Sequence, residues 1–317
     1  MDDLVCFPLT NQQNTDIIVV SLWIKQTYTM YKRVKYMMFT DSVDLYAHFA
    51  IPRPAGAVGH LQCWIPENLT ILGHRRRPAV LILPGGAYEH VSTREAEPVA
   101  LRFAARGYAA FVLQYSCGPH PFPVALRETA MAMKYIRSLS DRFALRPDRV
   151  AAVGFSAGGH LCGTLGMLYD GAEVADIGTS PEIRPDALGL CYPVAVSWGR
   201  THEGSFQNLT LGDDALRSRL SLEKLARPDM PPVFLWHTRQ DASVPCRNSL
   251  ILAQALEEQN VPFALHIYHR GVHGLSVADE TSCLAPEVSW DVPGWVEAML
   301  GFFREFDFRI AEGEGTV

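Results

Sequence analysis

The chain has 317 residues, of which 48% are hydrophobic and 20% are charged, a composition that supports a large buried core and excludes general disorder. Its 28 lysines and arginines against 34 aspartates and glutamates give a net charge of −6, which provides no basic field for a nucleic-acid backbone. The apolar run at 17–24 is far shorter than the ~20 residues that cross a bilayer, and Met-Asp-Asp at the start lacks the positive charge of a signal peptide. We therefore expect neither nucleic acid nor membrane as a partner.

Seven cysteines are scattered along the chain without a C-x-x-C pair. This number and spacing fit neither a zinc site nor a disulfide framework. We expect reduced, mostly buried thiols, no metal and a cytoplasmic protein.

From about residue 61 onward, short apolar runs alternate with longer stretches of helical spacing. This alternation predicts an α/β fold with a mostly parallel central sheet and helices on both faces. The predicted strands are 61–65, 79–83, 109–114, 150–153, 187–192, 233–237 and 263–268. The predicted helices are 93–106, 123–139, 157–168, 247–259 and 293–306.

Residues 1–54 follow neither pattern and stay unassigned, with an edge hairpin, a dimer arm and a loosely ordered terminus as the alternatives. Residues 55–317 are predicted to form one catalytic domain, since no repeat or composition shift marks a second. Within that domain, 171–185 and 198–211 are rich in polar and turn-forming residues and are interpreted as surface loops.

The segment Gly154-Phe155-Ser156-Ala157-Gly158 matches G-x-S-x-G and lies between a predicted strand and a predicted helix. This context is typical of a nucleophile elbow, in which a sharp turn raises a serine hydroxyl above the sheet. Glycines are needed beside the serine because side chains there would collide with the adjoining elements. We predict that Ser156 is a nucleophile; the alternative is a glycine-rich turn with an incidental serine.

A serine hydroxyl needs a base that takes its proton and a carboxylate that orients the base. Asp241 follows the predicted strand 233–237, and His273 follows the predicted strand 263–268. Loops that end parallel strands open at one edge of the sheet, so we expect both side chains to converge on Ser156. The rival residues lie inside strands, in a solvated turn or in the wrong chain order: His237, His266, His269, Asp213, Asp214 and Asp279.

Residues 83–88, Leu-Pro-Gly-Gly-Ala-Tyr, follow the predicted strand 79–83. Lipases and esterases place an H-G-G-G loop at this position, which brings a backbone N–H to the developing oxyanion. We predict an oxyanion hole made by the N–H groups of Gly86, Ala87 and Ala157, each worth about 3 kcal/mol of transition-state stabilisation. Taken alone, the segment also fits an ordinary Pro-Gly-Gly turn.

Together these motifs resemble the α/β-hydrolase superfamily, and more closely its esterase and acetylesterase branch with acetylxylan-esterase-like and feruloyl-esterase-like proteins. The resemblance covers about residues 61–308 and is carried by 77–88, 92–100, 154–160, 231–237, 241–245 and 271–275. It implies an α/β-hydrolase fold and the same triad of Ser156, Asp241 and His273. Ala87 is a departure, since relatives more often have glycine there.

The resemblance also implies hydrolysis of short acyl esters, above all acetyl, on carbohydrate hydroxyls through an acyl-enzyme and without a cofactor. Candidate sugar-stacking residues near strand ends are Tyr88, Tyr115, Trp198 and Phe206, although core packing is the commoner fate of an aromatic residue. Glu95 and Glu97 are candidates for holding the oxyanion loop, with the helix dipole as the ordinary explanation of acidic residues there.

Two other functions share this pattern. A prolyl-oligopeptidase-like or aminopeptidase-type serine peptidase has the same elbow and residue order, but such enzymes usually carry a further propeller or cap domain for which this chain has no room. A non-catalytic binding protein can keep the fold alone. The expected partner is a small-molecule or oligosaccharide ester, and a homo-oligomer stays open.

Overall fold

The computed structural model describes residues 38–284, 287 and 291–312. The strands in these residues are β1 Met38–Asp44, β2 His60–Pro66, β3 Arg75–Leu83, β4 Ala109–Gln114, β5 Leu145–Phe155, β6 Ala187–Cys191, β7 Val233–Thr238, β8 Phe263–Tyr268 and β9 Ala311–Glu312. The α-helices are α1 Leu45–Phe49, α2 Glu97–Ala104, α3 Val124–Ser138, α4 Ser140–Phe143, α5 Ala157–Leu168, α6 Ser180–Ile183, α7 Glu203–Thr210, α8 Asp214–Arg219, α9 Leu222–Leu225, α10 Arg247–Glu258 and α11 Trp295–Glu305.

One sheet organises these elements, with the strand order β1-β2-β4-β3-β5-β6-β7-β8 and β9 paired with the start of β3. The β1–β2 and β2–β4 pairs are antiparallel, and every later neighbour in this order is parallel. The predicted α/β fold with a mostly parallel sheet is therefore confirmed. Because β5 lies in the middle of the sheet, the turn at its carboxyl end is surrounded by the loops that follow β3, β6 and β7.

Helices cover both faces of the sheet, which explains the unbroken apolar runs of the strands. Leu81 and Leu83 of β3 pack into the core under α3, α5 and α10. Val80 and Ile82 point to the opposite face and pack under α2 and α11. All four are fully buried, and each such side chain contributes about 1.5–3 kcal/mol to folding.

The start of the sheet lies earlier in the chain than predicted. Residues 38–44 form β1, which pairs with β2 from Met38 opposite Pro66 to Asp44 opposite His60, and Asp44 then caps α1. The predicted boundary at 54/55 thus falls inside one compact unit that begins at residue 38. The remaining part of the predicted N-terminal segment, 1–37, lies outside the described residues.

The two predicted surface loops also contain helices. Helix α7 lies within 198–211 and α6 lies within 171–185. Helix α7 is capped by the imidazole of His202, which accepts from the Ser205 amide; histidine is not among the usual N-cap residues, so the sequence gives no start signal. None of the helices in the described ranges has the length and apolarity that a bilayer crossing requires.

Candidate active site

Ser156 occupies the turn between β5 and α5 with φ +53° and ψ −118°, a strained backbone conformation for a residue with a side chain. The turn is too tight for side chains on either side. A Cβ on Gly154 would lie 2.1 Å from the Gly158 carbonyl oxygen, and a Cβ on Gly158 would lie 2.1 Å from that of Leu83. Both positions require glycine, and the serine is held at the carboxyl edge of the sheet.

The structure brings Ser156, His273 and Asp241 into one chain of hydrogen bonds. The Ser156 Oγ lies 2.8 Å from His273 Nε2. On the other side of the ring, His273 Nδ1 lies 2.6 Å from Asp241 Oδ2. A carboxylate at Nδ1 fixes the proton on that nitrogen and leaves Nε2 free to accept from the serine hydroxyl.

The carboxylate of Asp241 is fully buried and surrounded by donors. Its Oδ1 accepts from the backbone N–H groups of Ser243 at 3.0 Å and Val244 at 2.8 Å. Its Oδ2 lies 3.3 Å from Nε2 of His237 as well as in contact with His273. Burial by itself raises the pKa of Asp241, but the bonds from both histidines and from Val244 outweigh it and hold that pKa below its ordinary value. The group is a carboxylate at neutral pH.

Of the six rival residues, only His237 lies against the triad carboxylate, and the other five have different surroundings. The ring of His266 packs 4.9 Å from that of Phe234, and His269 is exposed at the end of β8. Asp213 caps α8, Asp214 is exposed in its first turn, and Asp279 pairs with Arg102.

The predicted oxyanion loop lies against the nucleophile. A Cβ on Gly85 would be 2.9 Å from the Ser156 Cβ. The carbonyl oxygens of Gly85 and Gly86 accept from N–H groups later in the loop, and in these trans peptides the N–H groups of Gly86 and Ala87 point the opposite way. Within the described residues, the amides of Gly86, Ala87 and Ala157 donate no hydrogen bond. Donors are thus available beside Ser156.

Side chains from four separate elements hold this loop. Glu95 Oε2 accepts from the Gly85 amide at 2.7 Å, and the Tyr115 hydroxyl donates to the Pro84 carbonyl oxygen at 2.6 Å. The Asn208 amide donates to the Ala87 carbonyl oxygen at 3.0 Å, and the Tyr88 hydroxyl lies 2.8 Å from His160 Nδ1. These bonds fix Ala87 and Tyr88 in the left-handed region, with φ +59° and +56°. Ala87 is accommodated there at the cost of the strain that glycine would avoid.

Comparisons with known proteins agree with this architecture. The BD-FAE family model matches residues 69–182. The chain is 36% identical over 219 residues to endo-1,4-beta-xylanase B from Butyrivibrio fibrisolvens, covering 65% of this chain and 33% of that protein. It is 27% identical over 222 residues to an acetylxylan esterase from Xylanibacter ruminicola, covering 67% of this chain and 42% of that protein.

A crystal structure of an acetyl ester-xyloside bifunctional hydrolase from Caldicellulosiruptor lactoaceticus is similar over nearly its whole length. It matches with a TM-score of 0.75 at 32% identity, covering 86% of this chain and 99% of that one. The chain belongs to the esterase branch of the α/β-hydrolase superfamily. Its described domain is a carboxylic ester hydrolase of that branch. This esterase spans only about a third to two fifths of the length of the two curated relatives.

Three of the four aromatic residues expected to stack on substrate are buried in the esterase core. The side chains of Tyr88, Tyr115 and Phe206 are 1–3% exposed. Both tyrosines anchor the oxyanion loop, and Phe206 packs with Val194 and under the ring of His160. The expectation is wrong for these three, because their ring faces are covered by protein.

Trp198, the fourth aromatic candidate, is open to solvent. It follows β6 at the carboxyl edge of the sheet and is 44% exposed. Its indole N–H donates to Glu223 at 2.7 Å, and the Arg247 guanidinium lies 5.5 Å from its ring centre. The ring is therefore held in a fixed orientation at the rim.

Several residues around the esterase site have no sequence motif that marks them. Of the two glutamates considered for holding the oxyanion loop, Glu95 contacts it, whereas Glu97 is exposed in the first turn of α2. His237, set aside as a rival base, lies against the triad carboxylate. His160 donates from Nε2 to the Leu220 carbonyl oxygen and accepts from Tyr88. In the sequence His160 is marked only by its place in the segment 154–160, which carries the family resemblance.

His202 lies near the triad, and its pKa is lowered by burial first and by the His273 charge second. Its signal in the sequence is weak, because a lone histidine in a polar segment has no partner nearby along the chain. Across residues 38–284, 287 and 291–312, no group of three histidine, cysteine or acidic side chains is arranged to hold a metal ion.

Proposed function

We propose that the protein is a serine esterase that removes short acyl groups, above all acetyl, from carbohydrate hydroxyls through an acyl-enzyme. The observation that carries the proposal is the hydrogen-bond chain from the Ser156 hydroxyl through His273 to the buried carboxylate of Asp241. It lies beside the backbone amides of Gly86, Ala87 and Ala157, which donate no hydrogen bond to any residue that the structure describes. A nucleophile, a base, an orienting carboxylate and oxyanion donors are the groups that acyl transfer requires.

In the first half of the reaction, His273 Nε2 takes the proton of Ser156 as its Oγ attacks the ester carbonyl carbon. The carbonyl oxygen becomes an oxyanion, which the amides of Ala157 and of Gly86 or Ala87 stabilise. Asp241 stabilises the imidazolium that forms. The tetrahedral intermediate collapses when His273 returns the proton to the leaving alkoxide, which releases the sugar hydroxyl and leaves the acyl group on Ser156.

In the second half, water replaces the alcohol. His273 takes a proton from water as the water oxygen attacks the acyl carbonyl carbon, and the same amides stabilise the second oxyanion. Collapse returns the proton to Ser156 Oγ and releases the carboxylic acid. No step needs a metal or organic cofactor.

The carbohydrate part of the proposal rests on two supports. Relatives in this branch include an acetylxylan esterase and an acetyl ester-xyloside hydrolase. In addition, Trp198 is fixed and half open in the segment that follows β6, at the carboxyl edge of the sheet that also carries Ser156, and an aromatic face of this kind binds the apolar face of a sugar ring. We propose Trp198 as the sugar-stacking residue.

The first test is labelling with a fluorophosphonate, which reacts with an activated serine. We expect the wild-type chain to be labelled and Ser156→Ala to lose both labelling and esterase activity. Ser42→Ala removes an exposed serine on the edge strand β1 and is expected to behave as wild type. Labelling that persists in Ser156→Ala would assign the nucleophile to another residue.

The second test is a substrate panel of p-nitrophenyl acetate, p-nitrophenyl octanoate, acetylated xylo-oligosaccharides and a prolyl-p-nitroanilide. We expect release of acetate from the two acetyl esters, little turnover of octanoate and none of the anilide. Cleavage of the anilide alone would replace the esterase by the peptidase alternative. No turnover of any member, with an unlabelled serine, would leave a binding protein.

A further inference from the structure

Glu95 is a carboxylate buried between the two loops that carry the catalytic groups. The residue is only 3% exposed. One oxygen, Oε2, accepts from the amide of Gly85 at the start of the oxyanion loop. The other, Oε1, lies 2.6 Å from the hydroxyl of Tyr192, the first residue after β6. Its hydrogen-bond partners within the described part of the chain are these two uncharged donors, with no lysine or arginine among them.

The direction of each hydrogen bond is fixed by chemistry. The oxygen of the Tyr192 hydroxyl accepts from the backbone N–H of Ser276 at 2.9 Å. Its own proton is therefore directed to Glu95, and burial together with the Glu95 charge raises the pKa of Tyr192 far above its ordinary value. The phenol stays protonated and links the carboxylate to the backbone of the histidine loop.

The position of Ser276 makes this link important for the base. It lies three residues after His273 and has φ +54°, a conformation that a serine adopts only when its surroundings impose it. Every polar group of Ser276 is used: its N–H by Tyr192, its hydroxyl by the Arg94 carbonyl oxygen at 2.6 Å, and its carbonyl oxygen by the Trp295 indole at 2.9 Å. The Tyr192 ring also packs edge-on against the His273 imidazole, 5.1 Å between centres.

Gly85 shows how closely the carboxylate and the nucleophile approach the same peptide. A Cβ at this position would lie 2.8 Å from Glu95 Oε2 and 2.9 Å from the Ser156 Cβ. The amides that follow, those of Gly86 and Ala87, are the candidate oxyanion donors. A shift of the Gly85 amide therefore moves those donors relative to Ser156.

We propose that Glu95 and Tyr192 are positioning residues that couple the oxyanion loop to the loop carrying His273, so that donor and base keep a fixed spacing about Ser156. The inference rests on the proposed function, and it adds a role for two side chains that, among the described residues, form no hydrogen bond with Ser156, His273 or Asp241. The bridge runs Gly85 N–H, Glu95 carboxylate, Tyr192 hydroxyl, Ser276 N–H. One end of the bridge sets the position of the oxyanion donors and the other sets the position of the base. Loss of the bridge should therefore weaken binding of the transition state more than binding of the substrate.

The main variant is Tyr192→Phe, which deletes one oxygen and keeps the ring against His273. We expect kcat on p-nitrophenyl acetate to fall about 10- to 100-fold with KM changed by less than about twofold. A trifluoromethyl ketone, which forms a tetrahedral adduct with the serine, should bind more weakly by the same factor as kcat/KM falls. The matched control is Tyr108→Phe, which deletes a buried phenol that donates to the Phe308 carbonyl oxygen away from the site. It should lower Tm and leave kcat unchanged.

Glu95→Gln tests the other half of the bridge, because an amide cannot accept both bonds. We expect the same split between kcat and KM, and the double variant Glu95→Gln with Tyr192→Phe should lose no more than the worse single variant, as residues of one unit do. Glu97→Gln, on the exposed first turn of α2, is the matched control and should equal wild type. If Glu95→Gln does not fold, the Tyr192→Phe result decides alone.

Two outcomes overturn the inference in distinguishable ways. If Tyr192→Phe lowers Tm but keeps kcat and inhibitor affinity, as Tyr108→Phe does, the bridge is merely structural while the proposed function stands. If the wild-type chain is neither labelled by a fluorophosphonate nor active on any ester, the proposed function fails and the inference with it.

Discussion

Replacing Asp241 by asparagine should nearly abolish catalysis while the fold persists. Oδ1 of this side chain accepts from two backbone amides, so the asparagine carbonyl oxygen will keep that position. Its NH₂ group then faces His273 Nδ1, where the carboxylate oxygen stood at 2.6 Å. Two donors cannot share that contact, so the imidazole must shift its proton to Nε2, the nitrogen 2.8 Å from Ser156 Oγ. A protonated Nε2 cannot take the serine proton.

The expected loss is about 10⁴-fold in kcat, by analogy with the serine-protease template, which corresponds to about 5.5 kcal/mol of transition-state stabilisation. The assay is p-nitrophenyl acetate hydrolysis, with circular dichroism to verify the fold. Asp214→Asn, at an exposed aspartate in the first turn of α8, is the matched control and should keep full activity. A folded Asp241→Asn enzyme with more than about a tenth of wild-type kcat would refute the tautomer argument.

Further substitutions address packing, pH dependence and substrate contact. Gly158→Ala puts a methyl 2.1 Å from the Leu83 carbonyl oxygen and should lower the free energy of unfolding, measured in urea, by more than about 4 kcal/mol. Gly301→Ala, in open space on α11, should raise it by about 0.5–1 kcal/mol. Equal effects of the two substitutions would contradict the elbow packing. Burial lowers the pKa of His160 to about 4, so the unfolded chain binds its proton first as the pH falls below 6.5. We expect the unfolding free energy to be about 2 kcal/mol lower at pH 5 than at pH 7 from this residue, a slope that His160→Gln should remove. Trp198→Ala should raise KM several-fold for acetylated xylo-oligosaccharides and leave KM for p-nitrophenyl acetate unchanged; a parallel rise in both would exclude stacking on the sugar.

The apolar strands and the helix after the elbow could be predicted because most of their consecutive residues are buried, which gives nearly unbroken apolar runs in the sequence. Helix α5 was predicted with its observed bounds, 157–168. The edge strand β1 stayed unassigned in the sequence, with an edge hairpin as one of the alternatives, because its residues, Met-Phe-Thr-Asp-Ser-Val-Asp, are largely polar and contain no unbroken apolar run. Strand β3 begins at Arg75 rather than at 79, since β9 pairs with its first residues, a contact made across more than 230 residues.

The grouping of Ser156, Asp241 and His273 could be anticipated from topology, because parallel strands end at one edge. The side chains that hold the oxyanion loop could not. The Glu95–Tyr192 bond joins residues 97 positions apart, and the Tyr88–His160 bond joins residues 72 positions apart. Such pairs depend on how loops pack, and no local spacing records it. For the same reason the sequence did not show that Tyr88 and Tyr115 point into the core.

The four anchors on residues 84–88 have a consequence for selectivity. A loop held by hydrogen bonds at Pro84, Gly85, Ala87 and Tyr88 has its active conformation before a substrate binds. Binding energy from a favoured alcohol therefore cannot be used to switch the chemistry on, as it is in enzymes that close around their ligand. With Trp198 as the proposed sugar contact, we expect discrimination between esters to come from static fit at the rim, so that exchanging rim residues should change which alcohols are accepted without altering the triad.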